Sequence, residues 1–187
     1  MTRISLQPDN VLLATQESHT NVKLTDFGLS KIYESQDPGM FSTVCGTPQY
    51  IPPEVLNVFD GDARKYDGAQ MDLYGLGTLL YVLLSGTVPF YDRDEMTMFN
   101  KIKNGVWEFH DDKWENVNDG AKEIIKGLMK VNPQERITIE ETLSHDWIKK
   151  HQEKNVVEAG DDDSGSDDAE DNEVNLRISN LRVNCTK

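Results

Sequence analysis

Residues 22–28 read Val-Lys-Leu-Thr-Asp-Phe-Gly, a short apolar run that ends at an acidic residue, an aromatic residue and a glycine. A second apolar run, Val11-Leu12-Leu13, lies upstream of it across a polar stretch. Two such runs predict two short strands or a hairpin. The tripeptide that begins at Asp26 arises often by chance, so its meaning depends on the sequence that surrounds it.

Beyond these runs the chain passes from loop to helix. Residues 30–50 are rich in Ser, Thr, Pro and Gly and show no period, which predicts a long loop of the kind that is usually functional. Apolar residues then recur at helical spacing, with Pro, Gly and a Thr-x-x-Glu pattern at the boundaries. Five helices are predicted: one that opens at Pro52-Pro53-Glu54, and others over residues 70–85, 94–104, 119–131 and 138–150. The expected fold class is mainly α, with a small β hairpin.

The net charge of −14 is unevenly distributed. Nine acidic residues and no Lys or Arg lie between Val156 and Asn175, so the rest of the chain is only mildly acidic. A nucleic-acid-binding surface needs clustered Lys and Arg, so nucleic acid is not an expected partner. Residues 152–187 are predicted to be an acidic disordered tail, because they cannot bury enough apolar surface to offset chain entropy. The alternating apolar residues of its last part, 176–187, could also form a strand or a docking peptide.

The cysteines and the apolar runs exclude several classes of protein. Cys45 and Cys185 are far apart and lack the spacing of a zinc site or a disulfide scaffold. The first ten residues contain no apolar signal-peptide core. The most apolar run, residues 73–84, is shorter than the roughly 20 residues that a membrane span needs. We therefore expect no membrane association, and a location in the nucleus and/or the cytoplasm.

Four further motifs accompany Asp26-Phe27-Gly28 in a fixed order. They are Pro8-Asp9-Asn10, Gly46-Thr47-Pro48-x-Tyr50-x-x-Pro53-Glu54, Asp72-x-Tyr74-x-x-Gly77, and Arg136 followed by His145-x-Trp147. Chance agreement across five spaced motifs is very improbable. Together they resemble the C-terminal lobe of eukaryotic serine/threonine protein kinases, over roughly residues 3–150. The resemblance implies a helical lobe with a long activation segment.

The resemblance also implies the roles of individual residues in the site. Asn10 and Asp26 match the residues that bind the Mg²⁺ ions bridging the phosphates of ATP. Leu12 matches the apolar floor beneath adenine, where it serves equally as a core residue of its strand. Thr43 and Thr47 fall in the activation segment: Thr43 matches the phosphorylated position, and Thr47 the threonine of the substrate-binding loop.

Three other residues match structural positions of the family. Glu54 and Arg136 match a buried ion pair that ties the activation segment to the late helices. Asp72 matches the helix residue that accepts hydrogen bonds from the backbone of the catalytic loop. Tyr74, close by, replaces the tryptophan that is usual in the family.

Finer features resemble the calcium/calmodulin-dependent group and, within it, the checkpoint kinase 2 subfamily. They are the sequences of residues 25–31, 43–48 and 84–90, the spacing between Asn10 and Asp26, and the insert over residues 57–66. This resemblance implies transfer of the ATP γ-phosphoryl group to Ser or Thr of proteins in DNA-damage signalling, with protein substrates or signalling partners.

The catalytic loop departs from the pattern His-Arg-Asp-Leu-Lys-Pro-Glu-Asn. Ser5 occupies the position of the catalytic base, and a hydroxyl cannot orient and accept the substrate proton as a carboxylate does. Gln7 occupies the position of the lysine that contacts the γ-phosphate, so a positive charge is lost. Ile4 replaces the arginine that pairs with an activation-loop phosphate, so a phosphate on Thr43 would lack this partner. No catalytic residue of the loop is therefore intact.

The 187 residues also contain no Gly-rich loop, no strand lysine and no partner-helix glutamate, the parts that clamp the phosphates of ATP. The helix that packs beneath the catalytic loop is missing too, which should expose apolar surface on the helix over 70–85. We expect an incomplete kinase domain over residues 1–151, without an N-terminal lobe and inactive alone, followed by the tail. ATP binding by this chain alone is therefore doubtful. A truncated product of an active kinase gene and a pseudokinase that acts by binding are both open explanations.

Overall fold

The computed structural model of the chain describes residues 6–15, 21–26, 40–41, 47–61, 65–110 and 112–151. Ser5, Thr43 and the predicted acidic tail lie outside the described residues. The described part is mainly helical, as the sequence predicts, and contains two small two-stranded sheets, of which the sequence predicts one. No helix in this part is both long and apolar enough to cross a bilayer.

The predicted hairpin is confirmed. Strand β1 (Val11–Leu13) pairs antiparallel with β2 (Val22–Leu24), with Val11 opposite Leu24. A 3₁₀ turn, Pro8–Asn10, leads directly into β1, and proline suits its first position because its φ is already fixed. The hairpin therefore continues the chain from the catalytic-loop motif without an intervening loop.

A second sheet lies where the sequence predicts only loop. Strand β3 (Met40–Phe41) pairs antiparallel with β4 (Tyr66–Asp67), and residues Pro48–Tyr50 form a 3₁₀ turn. The prediction of an unbroken loop over 30–50 is wrong at these positions. The partner of β3 comes much later in the chain, so no local pattern could indicate the pairing.

The predicted helices are present, with small changes at their ends. They are α1 (Pro53–Phe59), α2 (Gly68–Ser85), α3 (Glu95–Asn104), α4 (Asp119–Leu128) and α5 (Ile139–Ser144). Helix α2 begins two residues earlier than predicted because the Asp67 carboxylate accepts a hydrogen bond from the Ala69 amide at 2.8 Å. Gly86 and Gly105 end α2 and α3 with φ of 70° and 62°, as their positions in the sequence predict.

Helix α4 and the last predicted helix both end early. Helix α4 stops at Leu128 rather than residue 131, and the carbonyl of Lys130 instead accepts a hydrogen bond from Arg136 Nε at 3.0 Å. The predicted helix over 138–150 is broken at His145, whose ψ is 138°, and helical turns resume over 146–151. The side chain of His145 caps this second segment, because its Nδ1 lies 3.2 Å from the Trp147 amide that donates to it. The predicted Thr138–Glu141 capping box is confirmed.

Helix α2 is the centre of the fold. Tyr74, Tyr81 and Leu84 point into a core that includes residues of α1, α3 and α4. A Cβ atom at Gly77 would lie 2.8 Å from Leu128 Cβ and from Met129 Cγ, so this glycine allows α2 and α4 to pack closely. The other side of α2 is less covered: Leu73, Leu76, Leu80 and Leu83 are only half-buried. Leu80 still packs against the core, so the half-buried surface of α2 consists mainly of Leu73, Leu76 and Leu83.

Candidate active site

The segment Leu6–Asn10 packs directly on helix α2. A Cβ atom at Gly75 would lie 3.3 Å from Leu6 Cβ, tighter than ordinary contact, so the glycine lets the loop approach the helix closely. Asp72 is half-buried three residues earlier, on the same side of α2. The structure therefore places Asp72 on the helix face that receives the catalytic-loop segment.

Asn10 and Asp26 are brought to the same end of the hairpin. The Thr25 amide donates to the carbonyl of Asn10 at 2.9 Å, and the Thr25 hydroxyl donates to the same carbonyl at 3.3 Å. Asn10 is buried, whereas Asp26, one residue past this bridge, is exposed. Asn10 and Asp26 therefore lie at one edge of a small sheet. Their side chains carry an amide oxygen and a carboxylate oxygen, both of which can act as metal ligands.

The backbone of Asp26 is in the left-handed region. Its φ is 57°, and among the described residues no other non-glycine residue has a positive φ. This conformation costs an ordinary residue about 1–2 kcal/mol, although Asp tolerates it better than most. Such outliers concentrate at functional sites, where surrounding structure enforces them. The bend at Asp26 is consistent with a residue that is positioned for a ligand.

Gln7 and Thr47 join the two loops of the site. The hydroxyl of Thr47 donates a hydrogen bond of 2.5 Å to Gln7 Oε1. The contact connects the catalytic-loop segment with the residue that the sequence assigns to the substrate-binding loop. The sequence predicted only the loss of a lysine charge at Gln7 and missed this replacement contact.

Glu54 and Arg136 form the predicted buried ion pair. Arg136 Nη1 and Nη2 each lie 2.6 Å from one carboxylate oxygen of Glu54, and the Arg136 side chain is fully buried. Arg136 also donates to the carbonyl of Gln70 at 2.6 Å and lies over the ring of Tyr74 at 4.9 Å. Burial raises the pKa of the Tyr74 phenol far above its ordinary value, so the ring stays neutral beside the charged pair.

Leu12 lies on the exposed hairpin. It is 41% exposed on β1, next to the end of the hairpin that contains Asn10. An apolar side chain is therefore open to solvent beside Asn10. Ser5 and Thr43, which the sequence places at the base and phosphorylation positions, are outside the described residues.

Comparison with known proteins identifies the family. Residues 4–148 match the model of the protein kinase domain. The chain belongs to the protein kinase family. It is 43% identical over 150 residues to a probable serine/threonine-protein kinase, fhkC, of Dictyostelium discoideum, a match that covers 80% of this chain and 24% of that protein.

Two other serine/threonine kinase relatives support the same assignment. The chain is 38% identical over 143 residues to a calcium/calmodulin-dependent protein kinase type 1 of Caenorhabditis elegans, covering 76% of this chain and 38% of that kinase. It is 40% identical over 163 residues to the CBL-interacting serine/threonine-protein kinase 3 of Arabidopsis thaliana, covering 87% of this chain and 34% of that kinase. The chain therefore spans about a quarter to two fifths of the length of these kinases.

Gly75 is a positioning residue that the sequence motifs do not single out. It lies inside the predicted helix over 70–85, and its lack of a side chain allows Leu6 to approach the surface of α2. A glycine inside a strongly apolar helix is itself a signal, because glycine weakens a helix and usually persists where another backbone comes close. The carbonyls of Gln70 and Lys130 were also missed as acceptors for Arg136, and no side-chain pattern could have indicated them.

Proposed function

We propose that these residues form the phosphate- and peptide-binding half of a serine/threonine protein kinase site, and that the 187-residue chain alone transfers little or no phosphate. The reaction of the site would move the γ-phosphoryl group of ATP to a protein hydroxyl with the help of Mg²⁺. The observation that carries the proposal is the placement of Asn10 and Asp26 at one edge of the hairpin, within a chain of the kinase family.

The residues at this edge fit a magnesium ion bound with ATP. Mg²⁺ prefers oxygen ligands, and in phosphate-transfer sites it uses one or two protein groups together with phosphate oxygens and water. Asn10 and Asp26 would supply an amide and a carboxylate oxygen, and the described residues contain no group of three or more His, Cys, Asp or Glu that would form a different metal site there. The bound ion would neutralise charge on the phosphates.

The proposed inactivity rests on two substitutions in the catalytic loop. Ser5 takes the position of the base and provides no carboxylate for the substrate hydroxyl. Gln7 takes the position of a lysine, and its side-chain oxygen is already engaged by Thr47. Neither residue supplies the proton acceptor or the positive charge that phosphoryl transfer uses.

We further propose that the kinase lineage is that of checkpoint kinase 2, with protein substrates in DNA-damage signalling and a location in the nucleus and/or cytoplasm. The support is sequence resemblance over residues 25–31, 43–48 and 84–90, together with the likeness to calcium/calmodulin-dependent protein kinase type 1.

Binding without catalysis is the second candidate function. The observation that favours it is the contrast between the altered catalytic loop and the intact supporting structure, in which the Glu54–Arg136 pair keeps both of its 2.6 Å hydrogen bonds. In this case the chain would act as a protein-interaction module of the pseudokinase type. Metal-dependent nucleotide binding that is absent even at millimolar ATP would favour this candidate over the first.

Paramagnetic NMR tests the metal site. Mn²⁺ accepts the same oxygen ligands as Mg²⁺ and broadens nearby amide signals. In the presence of ATP, we expect Mn²⁺ to broaden the amides of Asn10, Thr25 and Asp26 selectively, and excess Mg²⁺ to reverse the effect. Asp26→Asn should abolish it, whereas Asp60→Asn, an exposed control, should not. Equal broadening in the Asp26→Asn variant would overturn the assignment of the metal site.

A further inference from the structure

An open groove lies between the end of α3 and the end of α4, away from the kinase site. It has a volume of about 490 Å³. We call it the α3–α4 groove; its lining residues are Gly105, Trp107, Glu108, Phe109, Lys126, Met129, Lys130 and Val131. Gly105 is required for its shape, because a Cβ atom there would lie 2.6 Å from Val131 Cγ2.

The floor of the α3–α4 groove is aromatic and its rim is apolar. The rings of Trp107 and Phe109 meet edge to face at 5.3 Å between centroids, and both side chains are half-buried. At the rim, Val131 is 40% exposed. Exposed apolar surface of this kind, next to a concave floor, is typical of a place where a peptide segment binds.

Two lysines give the groove a positive edge. Lys126 Nζ lies 5.4 Å from the centroid of the Phe109 ring, and Lys130 follows four residues later. Glu108 is the acidic residue of the lining. Lys122, one turn before Lys126, forms an ion pair with Asp119 at 3.3 Å and does not line the groove. The groove therefore offers two cations beside an apolar floor, a combination that suits a segment with acidic residues next to apolar ones.

The C-terminal sequence of this chain contains such a segment. Residues 170–173 read Glu-Asp-Asn-Glu, and the residues that follow alternate apolar and polar through Val174, Leu176 and Ile178. In an extended conformation, alternate side chains point to one side. Val174, Leu176 and Ile178 would then share one face with Glu170, while Asp171 and Glu173 would lie on the other face.

The chain is long enough to reach the groove. Its described part ends at His151, whose ring lies 4.8 Å from that of Trp147. Trp147 in turn packs at the first turn of α4, since a Cβ atom at Gly120 would lie 2.8 Å from Trp147 Cβ. The groove is at the opposite end of α4, a helix of ten residues that is roughly 15 Å long. Residues 152–169 could span about 60 Å when extended, so length does not limit the connection.

We propose that residues 170–178 of the same chain bind in the α3–α4 groove. The acidic residues 170–173 lie at Lys126 and Lys130, and the apolar residues Val174, Leu176 and Ile178 cover Trp107 and Phe109. Charge complementarity and the length of chain that follows His151 support this occupant. The end of the chain is then a docking segment rather than a free tail.

Hydrogen exchange of the full chain tests the proposal. Replacing the apolar residues (Leu176→Ser with Ile178→Ser) should speed amide exchange over residues 106–109 and 129–131 by at least about fivefold, because the covered surface opens to water. A matched control in the same tail, Asp161→Asn with Asp162→Asn and Asp163→Asn, should leave this exchange unchanged. Unchanged exchange in the first variant, or an equal effect in the control, would overturn the proposal.

A charge exchange tests the lysines separately. Lys126→Glu with Lys130→Glu changes exposed side chains and should also speed exchange in the groove. Adding Glu170→Lys, Asp171→Lys and Glu173→Lys should restore the slow exchange, a rescue that a simple loss of stability would not show. Failure of the rescue would contradict the pairing. The protection should also be equal at about 1 and 100 µM protein, and protection that rises with concentration would assign the groove to a second copy instead.

Discussion

The hydroxyl of Thr47 donates to Gln7 Oε1 at 2.5 Å and thereby joins two loops whose residues are 40 positions apart in the chain. The contact lies at the surface and occupies the side chain that replaces the usual lysine. It links the residue before the turn Pro48–Tyr50 to the residue before the turn that contains Asn10.

Removing this contact should loosen the turn that follows Thr47. In Gln7→Ala, we expect faster hydrogen exchange at the Tyr50 amide, which donates to the Thr47 carbonyl at 3.0 Å, and a loss of about 0.5 kcal/mol in the free energy of unfolding. Gln7→Lys should retain the slow exchange, because a lysine can donate to the same hydroxyl. Exchange at Tyr50 that is as slow in Gln7→Ala as in the unmodified chain would show that the contact does not position the turn.

Breaking the Glu54–Arg136 pair from one side should be strongly destabilising. Glu54→Ala leaves the buried guanidinium without its carboxylate, and we expect the free energy of unfolding in urea to fall by about 3–5 kcal/mol. The double variant Glu54→Leu with Arg136→Met should recover part of this loss because no buried charge is left unpaired. Lys122→Met, which removes the pair with the exposed Asp119 and keeps an apolar stem, is the control and should leave the urea midpoint nearly unchanged.

Gly77 should not accept a side chain even though it lies inside a helix. Alanine is favoured over glycine by about 1 kcal/mol in an open helical position. At Gly77, however, the new Cβ would lie 2.8 Å from Leu128 Cβ, and overpacking of a core costs about 1–3 kcal/mol. Gly77→Ala should therefore lower the thermal midpoint. A higher midpoint would show that α2 and α4 can separate at little cost.

Acid should weaken the start of α3. The Asp94 carboxylate caps this helix by accepting hydrogen bonds from the Thr97 hydroxyl at 2.7 Å and the Thr97 amide at 2.8 Å, which lowers the pKa of Asp94 below its ordinary value of 3.8. The Asp94 cap stabilises the folded chain fully when the pH is above the ordinary pKa of the carboxyl group. This stabilisation is lost as the pH falls through the lower pKa of Asp94 in the folded chain.

Asp94→Asn keeps a hydrogen-bond acceptor at the cap but removes the titration. We expect the urea midpoint of the unmodified chain to fall more steeply than that of Asp94→Asn below about pH 4. Asp92, whose pKa is also lowered by the hydrogen bond that it accepts from Lys101, titrates in both proteins, but it loses the repulsion of the Asp94 carboxylate in the variant. If the urea midpoints of the two proteins fell equally with pH, Asp94 would not be a source of the acid sensitivity.

Local patterns predicted the elements whose causes are local. The capping box at Thr138 and the helix ends at Gly86 and Gly105 depend on residues within a few positions of one another, and the hairpin joins two apolar runs that follow each other in the sequence. The pairing of β3 with β4 and the early end of α4 depend on contacts across the fold, such as Arg136 with the carbonyl of Lys130. No periodicity within a short window contains that information.

The candidate site also contains features that the sequence predicted and features that it did not. The family resemblance implied that Glu54 and Arg136 form a pair, and the structure contains this pair; it also implied one site for Asn10 and Asp26, whose backbones lie at the same end of the hairpin. It did not predict the Gln7–Thr47 contact, because that contact involves a residue that departs from the family pattern. Substituted positions are those at which a family resemblance carries the least information about contacts.

Phosphate transfer measured directly tests the central claim that the chain retains the metal-binding pair of the kinase site but has no functional base. The assay would follow labelled γ-phosphate from ATP with Mg²⁺ to a panel of Ser/Thr peptides, with the full 187-residue chain and its Asp26→Asn variant side by side. We predict that both proteins incorporate label at the same background rate. Turnover near one per second, within the range of active kinases, that disappears in Asp26→Asn would contradict the account.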